Sequence, residues 1–129
     1  MILLETATVR LLHARLLSLF GGDSGVRDLG LLESAMARPT NLILYADPSV
    51  FDVAACYAYG LCQNHPFVDG NKRVAFVAAA TFLELNGMMV TASEADVVTR
   101  MLAVAASEMD EPELARWFEA NSCPAPETP

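Results

Sequence analysis

Within nine residues, His65-Pro-Phe-Val-Asp-Gly-Asn-Lys-Arg73, the sequence gathers an imidazole, a carboxylate, an amide and two cations. No other stretch is as dense in reactive side chains. Pro66 disfavours the α region for the residue before it, so His65 is expected in an extended loop. Asp69 is a good helix N-cap, and Gly70 lets a backbone come close to a ligand at the first turn. The free N–H groups of that turn and the helix dipole make an anion site, to which Lys72 and Arg73 add positive charge. The pattern is a phosphate-binding helix start with a histidine beside it.

The element that positions this cluster is the helix it opens. Val74-Ala-Phe-Val-Ala-Ala-Ala-Thr-Phe-Leu-Glu-Leu85 has no polar stripe, which reads as a helix buried in the middle of a domain. It is too short and too interrupted to span a bilayer, which takes roughly 20 apolar residues. Asn86-Gly87 stops it.

Earlier in the chain, Val9, Leu12, Leu16 and Leu19 recur at helical spacing over residues 6–20, and Gly21-Gly22 ends the run. His13 lies within that helix, where a lone histidine reads as structural. Asp28 caps a short helix from Leu29 to Ala37, ended by Pro39. Thr40-Asn-Leu-Ile-Leu-Tyr-Ala-Asp47 reads as a short strand or β-like flap, either a loop over the core or an edge along which a peptide could lie. Asp47-Pro48 opens a helix over Ser49 to Gln63 that delivers the chain to His65. Met88-Met-Val90 is a brief extended link. Ser93-Glu-Ala-Asp96 opens a helix to about Ala106, and Asp110-Glu-Pro-Glu113 opens a last one through Trp117 and Phe118. The sum is an all-α bundle of six helices around a central buried helix, with one small extended element.

The 129 residues make one domain, placed at 1–121, with a disordered tail over 122–129. A hydrophobic content of 53 %, with 7 Gly and 7 Pro, fits a compact helical protein. A net charge of −8, with 8 Lys plus Arg in all, argues against a protein that grips nucleic acid. Cys56, Cys62 and Cys123 are odd in number and lack CxxC spacing, so the first two read as small buried hydrophobes in a reducing cytoplasm. The first residues lack the charged segment and cleavage site of a signal peptide, and neither a signal peptide nor membrane association is expected.

The nine-residue motif resembles the Fic-domain signature, His-x-Phe-x-Asp/Glu-Gly-Asn-Gly-Arg-x-x-Arg, in the form found in its Doc (death-on-curing) branch, where lysine replaces the third small residue. Gly21-Gly22, Gly25-Val-Arg-Asp28, Leu31-Leu-Glu-Ser-Ala35, Tyr45-Ala-Asp-Pro48 and Asn86-Gly87 look Doc-like in order and spacing. The resemblance implies a compact helical fold and transfer of part of a nucleotide to a protein hydroxyl. His65 would be the general base, since imidazole titrates near neutral pH. Asp69 would hold Mg²⁺, a hard cation suited to carboxylate oxygen. Gly70, Asn71, Lys72 and Arg73 would form the ATP phosphate site, with Asn71 and Arg73 gripping phosphates. Phe67 would anchor the loop in the core.

Two positions depart from the nucleotidyl-transferring members. Lys72 stands where they carry glycine, and Phe76 where they carry a second arginine. Both match the Doc branch, which implies a toxin transferring the ATP γ-phosphate to a threonine of elongation factor Tu and halting translation. The alternatives are AMP transfer by the same site and an idle binding module; a metal hydrolase would need a helix through Pro66 to bring His65 and Asp69 together. Some Fic proteins carry an inhibitory Ser/Thr-x-x-x-Glu-Gly/Asn helix. The near match Ser107-Glu-Met-Asp-Glu111 is followed by Pro112, so a separate antitoxin, held in a groove near the site, is the expected partner.

Overall fold

The structure, a computed structural model, describes residues 1–126. Six helices follow in order: α1 (Thr6–Phe20), α2 (Leu29–Tyr45), α3 (Val50–Asn64), α4 (Asn71–Leu85), α5 (Glu94–Ala105) and α6 (Glu111–Ala120). Two short strands, β1 (Met88–Val90) and β2 (Ser122–Pro124), pair antiparallel with Met89 opposite Cys123. The all-α expectation holds. None of the described helices is long and apolar enough to cross a membrane.

Helix starts follow local chemistry. Asp28, Ser49, Ser93 and Asp110 each accept a hydrogen bond from a backbone N–H of the first turn they precede. Ser49 with Asp52, and Asp110 with Glu113, form reciprocal capping boxes. The α3 cap is therefore Ser49, not the expected Asp47-Pro48 pair. Two helices begin without a side-chain cap, α1 and α4.

The second helix overturns two expectations. It continues through Pro39 to Tyr45, so no stop falls at residue 37 and Thr40–Asp47 is not a strand or flap. An interior proline removes one ladder bond and costs about 3 kcal/mol. Leu32, Ala35, Met36 and Pro39 are buried, and Leu42 and Ile43 pack on the same core. Their helical spacing draws the segment onto the core, and that burial offsets the proline. The small β element lies instead at β1 and β2. The tail, expected to be disordered from residue 122, therefore begins as a paired strand; residues 127–129 lie outside the described residues.

Helices α3 and α4 form the centre. Nine residues of α3 are buried, including the unbroken run Val53–Ala58. Seven of α4 are buried, among them Phe82 and Leu83. The absence of a polar stripe on α4 has two causes. One side faces the core, while Phe76, Val77 and Ala80 are half-buried and floor an open cavity. Tyr57 is enclosed against Phe82, and its hydroxyl accepts the Leu4 N–H at 3.0 Å.

Burial pushes the Cys56 thiol up to about 11 and raises Cys62 as well. At pH 8 both stay protonated, and a thiol reacts as its thiolate. Native protein treated with iodoacetamide at pH 8 is expected to carry one label, on the half-buried Cys123, and three labels after unfolding, as read by mass spectrometry.

Candidate functional site

The loop from His65 to Gly70 joins the two central helices, and each of its turns is fixed by a specific partner. His65 ends α3 in the left-handed conformation, φ 49° and ψ 53°, and not in the extended form expected before proline. A left-handed residue is a common helix stop, here non-glycine, and its neighbours hold it. The Arg27 side chain donates to the His65 carbonyl at 2.7 Å and to the Asn64 carbonyl at 3.0 Å. The Arg27 and Asp28 N–H groups both donate to the Pro66 carbonyl, and Val26 bridges Phe67 antiparallel.

Phe67 is fully buried, and its ring stacks on His13 with centroids 3.9 Å apart. The expected anchor is thus in place. Its backbone is satisfied by Asn71: the Phe67 N–H donates to Asn71 Oδ1 and Asn71 Nδ2 donates to the Phe67 carbonyl, both at 2.9 Å. Asn71 is buried, so both ends of its amide already serve the loop. One Nδ2 hydrogen and the main-chain N–H of Asn71 take no partner among the described residues.

His13 sits 2.8 Å from the Asp69 carbonyl through Nε2. A carbonyl only accepts, so Nε2 carries the proton. The Asp69 carboxylate is exposed and accepts two backbone N–H groups, Gly70 at 2.8 Å and Asp23 at 3.3 Å. Gly22 makes that approach possible. With φ +121°, a Cβ there would lie 2.9 Å from Asp69 Oδ2 and from Leu17 Cδ2. The cap of α4 is Gly70, at φ 77°, in place of the expected Asp69, whose side chain is turned to Gly70 and Asp23. The N–H groups of Asn71, Lys72 and Arg73 take no partner among the described residues.

Lys72 and Arg73 are exposed, and neither is ion-paired among the described residues. The Arg73 guanidinium lies 4.3 Å over the Phe20 ring, which fixes its direction without neutralising it. Unpaired cations at the positive end of a helix are unfavourable unless an anion joins them. His65, Asp69, Gly70, Asn71, Lys72 and Arg73 all border one cavity of about 740 Å³, a size suited to a small-molecule ligand. Beyond them it continues as an apolar groove between α4 and α5, past Phe76 and Val98. Phe76 stacks on Phe118 at 6.3 Å, so that wall carries no second guanidinium.

A carboxylate flanked by free amides and two cations fits Mg²⁺ with a polyphosphate. Mg²⁺ is held by one or two carboxylates plus phosphate oxygens, not by an all-protein cage. Among the described residues no group of three or more His, Cys, Asp or Glu side chains is placed to hold a metal ion. Ser107, considered above for an inhibitory helix, lies in the turn after α5 with φ 59°, and α6 starts only at Glu111.

Three residues of the site were not foreseen as such. His13 read as structural, Gly22 as half of a helix stop, and Arg27 only as part of the Gly25–Asp28 stretch that looks Doc-like. The second glycine of the Gly21-Gly22 pair, more than a stop requires, was the available signal.

A family model described as the Fic/DOC family matches residues 3–83. Toxin Doc of Mycolicibacterium smegmatis is 48% identical over 75 residues, which cover 57% of this chain and 58% of that protein. Protein kinase doc of Escherichia phage P1 is 35% identical over 80 residues, covering 61% and 64% respectively. In both cases the match spans less than two thirds of the relative's length. Since the family model takes in α1 through most of α4, including every residue of the cavity's polar end, the chain belongs to the Fic/DOC family.

Proposed function

We propose that this protein is a toxin of a toxin–antitoxin pair that acts in the cytoplasm as a protein kinase of the Doc kind. It moves the γ-phosphate of ATP to a protein hydroxyl, with a threonine of elongation factor Tu as the target, and so stops translation. The observation that carries the reading is the unneutralised positive pole at the start of α4. Three free N–H groups, Lys72 and Arg73 converge there, with His65 and Asp69 on the same cavity. The names of the two relatives, one a toxin and one a protein kinase, agree with it.

ATP with Mg²⁺ supplies the transferable phosphoryl group with its charge partly neutralised. Asp69 holds the metal through its carboxylate. The helix-start amides, Lys72 and Arg73 bind the phosphate oxygens. His65 accepts the proton of the target hydroxyl as that oxygen bonds to the γ-phosphorus and the bond to the bridging oxygen breaks. ADP leaves, and the imidazolium returns its proton to water. Lys72 in place of a bare backbone and Phe76 in place of an arginine argue for γ- over α-phosphorus attack. The apolar groove beyond Phe76 would receive a peptide of the antitoxin, which silences the enzyme by covering the site.

The test uses purified elongation factor Tu with γ-labelled and α-labelled ATP in parallel, and His65→Ala as control. Label from the γ position alone is expected. Label from the α position would make the protein an AMP transferase, and no label from either would favour another target or a docking module. In the same assay Lys72→Gly is expected to shift transfer toward the α position; an unchanged choice would refute the account of Lys72.

A further inference from the structure

We infer that Arg27 is a positioning residue for His65, holding the base in its left-handed conformation so that the imidazole faces the cavity. The inference rests on His65 acting as the base. Among the described residues only His65 and Ser107 combine a side chain with positive φ, and His65 does so directly before a proline. Neither feature is favourable for a histidine, so something outside the loop must fix it.

That something is the segment around Arg27. Asn64 is the last residue of α3, and its carbonyl is one of those that a helix end leaves without a partner. Arg27 Nη2 donates to it at 3.0 Å, and Nε donates to the His65 carbonyl at 2.7 Å. The next carbonyl, Pro66, accepts the backbone N–H of Arg27 at 2.7 Å and of Asp28 at 3.1 Å. Three consecutive carbonyls are thus taken by two residues of another part of the chain. Rotating His65 to the extended form would swing its carbonyl off the guanidinium. Arg27 has no carboxylate partner among the described residues, so its fork of donors is committed to this turn. A cation is also well placed at the negative end of α3. Lysine, with one ammonium and no fork, cannot span both carbonyls in the same way.

Arg27→Ala and Arg27→Lys test this in the full chain by two independent readouts. A positive φ brings a residue's own amide and Hα protons unusually close, so wild-type protein should show a strong intraresidue NOE at His65. It is expected to weaken in Arg27→Ala and to be partly kept in Arg27→Lys. A full-strength NOE in Arg27→Ala would overturn the inference whether or not any phosphate is transferred. In the transfer assay Arg27→Ala should lower kcat by about 10- to 100-fold, the scale of a slightly misplaced catalytic group. The KM for ATP should stay within about twofold, and added guanidinium should recover part of kcat. A wild-type kcat, or a loss in KM alone, would overturn it. If His65→Ala proved fully active, the base assignment would fall while the NOE still judged the Arg27 contact.

Discussion

His65→Ala is expected to lower phosphate transfer by about 10²- to 10⁴-fold, the range that a well-placed general base contributes. The side chain is exposed at the cavity edge and packs into no part of the core, so the fold should survive its removal. The backbone is the complication. At φ 49° alanine is strained, by roughly 1–2 kcal/mol for a left-handed residue. Asparagine tolerates that conformation better and has no group that titrates near neutrality. His65→Asn should therefore match the activity loss while melting at the wild-type temperature. Single-turnover transfer with a thermal melt decides the matter. Wild-type rates in both variants would show that another group takes the proton.

The second large effect belongs to a residue that does no chemistry. Asn71→Ala removes the partner of both the Phe67 N–H and the Phe67 carbonyl at a site that is 4% exposed. Leaving a buried polar group unpaired costs about 1–3 kcal/mol, so the variant should lose roughly 2–5 kcal/mol of stability. Transfer should fall with it, because the same loop carries His65 and Asp69. Asn71→Asp keeps the acceptor but sets a carboxylate against the Phe67 carbonyl, and should also be destabilised. Urea denaturation measures the loss. Unchanged stability with a raised KM for ATP would instead give the amide to the phosphates, as the motif alone suggests.

That contrast shows what the sequence could disclose. The order of reactive residues from His65 to Arg73, and the helix they open, were legible because turn formers and the apolar run act over short distances, although the cap itself fell on Gly70 and not Asp69. Helices α1, α3, α5 and α6 were legible for the same reason. The second helix was not, because the rule that proline ends a helix competes with burial of Leu42 and Ile43, which is a tertiary effect. The role of Asn71 was hidden because its partners are main-chain atoms four residues back, in a loop whose path the side chain itself decides. His13, Gly22 and Arg27 lie about 40 to 55 residues from the groups they fix, so only the folded chain brings them together.

The uncapped start of α4 has a thermodynamic consequence. Four of the six helices satisfy their first turn with a Ser or Asp side chain, whereas the central helix leaves three N–H groups and two cations open. A side-chain cap contributes about 1 kcal/mol, and the apo protein forgoes it where α4 opens onto the cavity. Filling that gap is left to whatever anion binds, so occupancy and folding become linked equilibria. A ligand present at a hundred times its Kd adds about 2.7 kcal/mol to the folded state. The anion-loaded protein is then the more durable species, and its lifetime against proteolysis would follow the supply of that anion, which is nucleotide under the proposed function.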